Sequence, residues 1–346
     1  MKIKKFKAPV TVAVVGAGAV GKEMIRILEQ RKFPYKEIRV LARSSRIIQV
    51  DGKSYQVLET TPDAFNGVDI ALFAGTEGEK GAAVTFGKEA IRRGAVLIDN
   101  GSDYRMDPKV PLVIPEINEH DLAWHQGIIA NPNCTTAAML VPVAAIHRKV
   151  GVKKIVISTY QAVSGAGAKA VEDLKVQSKE HLEKGAVSDF GVFPDQIAFN
   201  VLTNNWKIEE DGYSNEELKI IKETHKIMGD KKIQVVPTTV RVPVYNAHSE
   251  SVYIETKKKI TPAQAAQIFL KTPGVRLVDE KHPLEGKTCP MPILASGKDD
   301  VLVGRIRKDL FNPKALVFWA VGDNLRKGAA LNAVQIAECL VERSRP

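Results

Sequence analysis

The run Val10-Thr11-Val12-Ala13-Val14-Val15 leads straight into Gly16-Ala17-Gly18-Ala19-Val20-Gly21, and residues 22–30 then read as a helix. Strand, glycine turn and helix in that order constrain the fold narrowly, because they form the opening of a dinucleotide-binding unit. The first glycine permits the tight turn, the second lets backbone approach a pyrophosphate, and the third lets helix pack on strand. The helix N-terminus then presents unpaired N–H groups and positive partial charge to the phosphates. An ordinary tight turn can show the same spacing, so the neighbouring segments have to decide. Apolar runs at 38–41, 70–74 and 95–98 continue the pattern, with a helical segment at 81–93 before the last. Strands alternating with helices predict a doubly wound, mostly parallel sheet.

After the second strand the chain reads Leu41-Ala42-Arg43-Ser44-Ser45-Arg46. An acid here would bond the ribose 2′-hydroxyl of NAD, whereas arginine and serine suit the 2′-phosphate of NADP. NADP is therefore the expected cofactor, with Gly16, Gly18, Ala19, Val20 and Gly21 at its pyrophosphate and Arg43 and Ser44 at its 2′-phosphate. A solvated polar loop is the other reading of Arg43 and Ser44.

The second half changes character. Residues 154–163, 249–256, 301–308 and 315–321 are β-rich, with helical patterns at about 167–182, 214–228 and 261–271. This predicts a larger mixed or antiparallel sheet with helices on one side. The final segment, 328–342, reads as a helix with Ala330, Ala333, Val334, Ala337, Leu340 and Val341 on one face. A length of 346 residues accommodates two cores.

Lysine and arginine exceed aspartate and glutamate by ten, yet the basic residues are spread along the chain and aromatics make up only 6%. Neither a basic stripe nor a base-stacking platform emerges, so no nucleic-acid partner is expected. No apolar run is long enough to span a bilayer, and none forms a signal-peptide core, so no membrane partner is expected. Three cysteines, Cys134, Cys289 and Cys339, form neither a disulfide framework nor a metal-ligand cluster. A reducing, cytoplasmic setting without a bound metal is the expectation.

Cys134 stands apart from the other two. It follows Asn131-Pro132-Asn133 and precedes Thr135-Thr136 and a long apolar run. Asn133 is a good N-cap and Pro132 discourages an earlier helix start. A thiol in the first turn of a helix has its pKa lowered from about 8.5, which raises the reactive thiolate fraction. A small buried core residue is the alternative, and the more common fate of such cysteines.

Several separated motifs bear on that choice: Asn100-Gly101-Ser102-Asp103-Tyr104-Arg105, Asn131 to Thr136, Ser158-Thr159-Tyr160-Gln161-Ala162-Val163-Ser164-Gly165, Arg241-Val242-Pro243-Val244, His248-Ser249-Glu250-Ser251, and Asp323-Asn324-Leu325-Arg326-Lys327-Gly328. With the glycine turn upstream, this ordered set resembles the aspartate-semialdehyde dehydrogenase family end to end. The family often has one residue more in the glycine turn.

The resemblance implies a Rossmann-like cofactor domain, residues 1–133 with 326–346. It also implies an α+β catalytic and dimerisation domain with a mixed sheet, residues 134–325. The implied reaction is reversible, NADP-dependent conversion of β-aspartyl phosphate to aspartate β-semialdehyde and phosphate through a cysteine thioester. That step belongs to lysine, threonine and methionine biosynthesis, and to diaminopimelate formation in bacteria.

Cys134 matches the nucleophile, His248 the general acid/base and Gln161 the residue that orients the intermediate. Arg241 matches a carboxylate clamp, Glu216 an ammonium partner, and Lys219 and Arg105 phosphate contacts. Ser164, Gly165 and Asn324 match positions near the nicotinamide. A homodimer or dimer of dimers is the implied assembly. Reduction of another acyl phosphate, such as N-acetylglutamyl phosphate, and a non-catalytic dehydrogenase-like scaffold remain the alternatives.

Overall fold

The computed structural model describes residues 6–75, 81–209 and 211–343. The chain forms two compact units, Met1–Asn133 with Ala329–Pro346, and Cys134–Gly328.

The first unit is built on seven strands: β1 (Val10–Val15), β2 (Tyr35–Ala42), β3 (Arg46–Val50), β4 (Lys53–Glu59), β5 (Ile70–Phe73), β6 (Val96–Asp99) and β7 (Ile128–Ala130). Their order in the sheet is β3-β4-β2-β1-β5-β6-β7. Every neighbouring pair is parallel except β3 with β4. That antiparallel hairpin turns on Asp51 and Gly52, both at positive φ, as a type I′ turn requires. Helices α1 (Ala19–Gln30) and α2 (Ala82–Arg92) supply crossovers, and a single turn, α3 (Pro115–Asn118), follows β6. One sheet face is covered by an apolar layer that includes Met24, Ile27 and Leu28 of α1 and Leu331, Val334 and Leu340 of the closing helix, Leu331–Glu342. The central strands β1, β5 and β6 are buried along their whole length, the pattern of a parallel sheet covered on both faces.

The second unit starts with α4 (Cys134–Val150), which contains Pro142 and is buried along most of its length. Then come β8 (Val152–Gln161), α5 (Ala168–Lys184), α6 (Asn215–Met228), β9 (Gln234–Arg241), β10 (His248–Thr256), α7 (Pro262–Phe269), β11 (Val275–Leu277), α8 (Pro292–Ala295), β12 (Val301–Lys308) and β13 (Ala315–Gly322). Their sheet runs β11-β12-β13-β10-β8-β9, with β8–β9 and β11–β12 parallel and the rest antiparallel.

Helices α4, α6 and α7 pack on this sheet. Alternation along β10 decides which residues face them. His248, Glu250, Val252, Ile254 and Thr256 are buried, while Ser251, Tyr253 and Glu255 are partly exposed. The other face carries Tyr160 and Trp319, whose rings lie 5.3 Å apart. The mixed sheet with helices on one side agrees with the sequence reading. Strand β9 escaped that reading because Pro237 interrupts it. As the outermost strand, β9 tolerates a residue that cannot donate to a ladder.

Candidate active site

Parallel pairing brings the C-terminal residues of β8 and β9, Gln161 and Arg241, side by side. Strand β10 runs the opposite way, with Ser249 opposite Tyr160, so its first residue, His248, arrives at the same end of the sheet. The first residue of α4, Cys134, lies there too, with Sγ 3.3 Å from His248 Nε2. Four elements thus converge through strand direction, with no metal required to gather them. Among the described residues no group of three or more histidine, cysteine, aspartate or glutamate side chains could hold a metal ion.

Each side chain is held by a specific partner. The backbone N–H of Ala162 donates to His248 Nδ1 at 3.0 Å. A nitrogen that accepts cannot carry the proton, so the neutral ring has its proton on Nε2, facing the sulfur. Burial, and then the Arg241 charge, hold the His248 pKa well below its ordinary value, so the ring stays neutral. The residue before it, Ala247, has φ of 72°, a strained conformation for a residue with a Cβ. Its N–H donates to Asn324 Oδ1 at 3.0 Å, and Asn324 Nδ2 donates to Ser164 Oγ at 2.9 Å. Ser164 Oγ in turn donates to Asn246 Oδ1 at 2.9 Å. Ser164 and Asn324 therefore brace the turn that delivers His248.

Gln161 is almost fully buried, which fixes its amide through two bonds. Oε1 accepts from Thr159 Oγ1 at 3.1 Å, and Nε2 donates to Glu216 Oε1 at 3.2 Å. Glu216 is buried and lies 3.7 Å from Lys219 Nζ. Its neighbour Glu217 is occupied elsewhere. It completes the capping box of α6 with Ser214, and its Oε1 accepts from Thr239 N at 2.9 Å. Of the two glutamates, Glu216 is the one that joins the cluster.

Arg241 is 3% exposed, and burial lowers its pKa against the opposing pull of Cys134 and Glu216. Nη1 donates to Ala162 O at 2.7 Å, and Trp206 lies over the guanidinium with its ring centre at 4.9 Å. Nε has no acceptor among the described residues. Gly165 closes against the same groups. A Cβ there would stand 2.9 Å from Arg241 Nη1 and 3.2 Å from His248 Cε1. The cluster thus combines a thiol, a hydrogen-bond donor aimed at it, a positive fork and a carboxylate.

The remaining sequence-derived residues belong to the first unit. Gly16 has φ of 109°, and a Cβ on Gly21 would fall 1.7 Å from Gly16 O, so this turn closes only around glycines. Gly18 is the N-cap of α1, and a Cβ there would meet nothing within 4 Å. That open approach to the helix start suits a pyrophosphate, with Ala19 and Val20 in the first turn. Arg43 and Ser44 are exposed just after β2. Arg105 is buried, with Nε donating to Asn131 O at 2.9 Å and Nη2 to Asn100 O at 2.8 Å.

The sequence reading quoted Thr159 and Ala162 within a motif but gave them no role, and it did not single out Trp206 or Asn246 at all. Trp206 is 35 positions from Arg241, and only the pairing of Leu202 with Arg241 brings its segment there.

A dinucleotide-type domain joined to a mixed-sheet unit bearing a paired cysteine and histidine defines a dehydrogenase of the semialdehyde class. Family models agree. Residues 11–125 match the semialdehyde dehydrogenase NAD binding domain, and residues 143–327 match the semialdehyde dehydrogenase dimerisation domain. The chain is 48% identical over 339 residues to aspartate-semialdehyde dehydrogenase of Aquifex aeolicus, covering 96% of this chain and 98% of that one. It is 45% identical over 342 residues to the Bacillus subtilis enzyme of the same name, covering 95% and 96%. The crystal structure of aspartate semialdehyde dehydrogenase II from Vibrio cholerae, complexed with ASA, superposes with a TM-score of 0.90 at 39% identity, covering 97% of this chain and 99% of that one. The protein belongs to the aspartate-semialdehyde dehydrogenase family.

Proposed function

We propose that this chain catalyses the reversible, phosphate-dependent interconversion of β-aspartyl phosphate and aspartate β-semialdehyde, with NADP as cofactor and a thioester on Cys134. The observation that carries the reading is the 3.3 Å approach of Cys134 Sγ to His248 Nε2 at the start of α4, beside the buried Arg241. Direct reduction of an acyl phosphate is hard to control. A thiolate that displaces phosphate gives a thioester, which is a better-behaved acceptor.

Arg241 holds the substrate α-carboxylate through its Nε/Nη2 edge, and Glu216 meets the α-ammonium. Arg105 and Lys219 contact the phosphate. With the substrate so placed, Cys134 Sγ attacks the β-acyl carbon as a thiolate, the bond to phosphate oxygen breaks, and phosphate leaves carrying the proton that the thiol has given up. His248 Nε2–H first stabilises the thiolate and then donates to the oxygen that gains charge at the acyl carbon. The sequence reading gave His248 both halves of acid–base work. Acceptance at Nδ1 from Ala162 favours the donor half. Gln161, with its amide already oriented, positions the acyl group. The reduced form of NADP, bound at Gly16–Gly21 with Arg43 and Ser44 at its 2′-phosphate, would supply the hydride that converts the thioester to the aldehyde and frees the Cys134 sulfur.

The open sheet face with Tyr160 and Trp319 supports a homodimer, alone or paired into a dimer of dimers. No helix among the described residues is long and apolar enough to cross a membrane, and a cytoplasmic role in lysine, threonine, methionine and diaminopimelate biosynthesis follows from the reading.

The test is an assay of the purified protein with aspartate semialdehyde and phosphate, against NADP and NAD separately. Phosphate-dependent reduction of NADP, lost in Cys134→Ser without loss of fold, is expected. Equal or better turnover of N-acetylglutamate semialdehyde would assign a different acyl phosphate. Salt-sensitive DNA binding without turnover would remove the enzyme reading altogether.

A further inference from the structure

Trp206 has no part in the chemistry above, yet the fold takes trouble to place it. It lies in the stretch between α5 and α6, and that stretch is tied down on both sides of it. Upstream, Leu202 and Arg241 exchange two backbone hydrogen bonds, each 2.9 Å, so the segment adds a short antiparallel bridge to edge strand β9 at Arg241 itself. Downstream, Asn215 N donates to Lys207 O at 2.8 Å, and Ile208 pairs with Ser214. The second tie joins the segment to the start of α6, the helix that carries Glu216. Trp206 thus lies against Arg241, in a segment tied also to the helix that carries Glu216, the two groups proposed to hold the α-carboxylate and the α-ammonium.

We propose that Trp206 is the positioning residue of Arg241, and that it sets how a substrate carboxylate can bind. The reading rests on the carboxylate role given to Arg241 above. Trp206 covers a face, with its ring centre 4.9 Å from Cζ. Nη1 already donates to Ala162 O at 2.7 Å, and Gly165 crowds that same nitrogen. The edge formed by Nε and Nη2 is what remains, and Nε has no acceptor among the described residues. A carboxylate that meets this edge can form two parallel bonds, which fix its orientation. The aromatic face supplies a second contribution. It balances part of the Arg241 charge without offering an acceptor that would compete with the carboxylate. A leucine, apolar but smaller and without a ring, would keep part of the apolar contact and lose that attraction.

The experiment compares Trp206→Phe, Trp206→Leu and Trp206→Ala with the parent enzyme. Trp206→Ala and Trp206→Leu are expected to raise KM for aspartate semialdehyde about tenfold, between the scales of an exposed and a desolvated cation–π contact, as suits a half-buried tryptophan. Their kcat and their KM values for phosphate and NADP should stay within about twofold of the parent, and Trp206→Phe should restore most of the loss. Alongside, phenylglyoxal labelling of Arg241, read by mass spectrometry, should run several-fold faster in Trp206→Ala than in the parent. That second measurement does not depend on the substrate. A parent enzyme inert towards aspartate semialdehyde would defeat the proposed function, while the labelling ratio would still judge the Trp206 contact. Unchanged labelling, a leucine variant as good as phenylalanine, or a fall in kcat with KM unchanged would each overturn the proposal.

Discussion

Gly328 offers the sharpest test of how tightly the proposed nucleophile, Cys134, is held. It lies in a π-helical turn, Arg326–Ala330, and a Cβ built on it would stand 2.5 Å from Cys134 Cβ and 2.9 Å from Cys134 Cα. Ordinary contact begins near 3.4 Å, so Gly328→Ala is short of room by about 0.9 Å. The atoms it meets belong to or adjoin backbone, so no side-chain rotation relieves the overlap. The turn is itself anchored, with Arg326 bonded to Asp299 at 2.6 Å and the Asp323 carboxylate accepting from Leu325 N at 2.9 Å. Cys134 is the end residue of its helix and should yield first.

A shift of about 1 Å would carry Sγ from its 3.3 Å contact with His248 towards 4 Å, beyond useful hydrogen bonding. Misplacement of that size costs about a hundredfold in rate. Overpacking should also destabilise the protein by about 1–3 kcal/mol. Gly322→Ala is the control. Its Cβ would lie 3.1 Å from Ala138 Cβ on the same helix, a deficit of only a few tenths of an ångström, four residues from the nucleophile. The assay is steady-state turnover with thermal unfolding and the rate of Cys134 alkylation. Gly328→Ala should lose about a hundredfold in kcat and Gly322→Ala no more than a few-fold. A Gly328→Ala enzyme within about threefold of the parent, with unaltered alkylation, would refute the argument.

Two further outcomes follow from the buried titrating groups. Glu250 is fully buried with neither carboxylate oxygen bonded among the described residues, and burial pushes its pKa well above the ordinary carboxylate range. The folded state keeps the proton and the unfolded state loses it above about pH 4.5, so this group makes stability fall with rising pH by up to about 1.4 kcal/mol per unit until its folded pKa is passed. The advantage of Glu250→Gln over the parent in urea melts should therefore grow from pH 5 to pH 8 (about 1.4 kcal/mol per unit at most), and a constant difference would mean Glu250 ionises in the fold. For His248, a long-range proton–nitrogen spectrum, assigned by loss of the signal in His248→Asn, should report a proton on Nε2 and none on Nδ1. The ring should also remain neutral below its ordinary pKa of about 6.5. An Nδ1–H ring would return the role of thiol base to His248.

What could be read from the chain alone was local. The turn Gly16–Gly21 could be recognised because steric exclusion acts within six residues, and the structure shows Gly21 meeting Gly16 O. The start of α4 at Cys134 was likewise legible, because Pro132 disfavours an earlier helix start through local backbone sterics. The single proline in β9 was enough to hide that strand, since its tolerance depends on being at the edge, a property of the sheet and not of the segment.

The tertiary structure alone decided which of these groups touch. Glu216 and Glu217 are equivalent by composition, and only the helix phase of α6 sends one to Gln161 and the other to its own N-cap. Trp206 meets Arg241, and Gly328 meets Cys134, across 35 and 194 positions respectively. Such pairs arise from strand direction and chain return, which are set by burial of the whole sheet. The sequence thus determined the kind of chemistry this protein carries. The fold determined which nitrogen of His248 faces the sulfur and which edge of Arg241 stays open, because hydrogen-bond direction depends on positions that no short stretch of chain encodes.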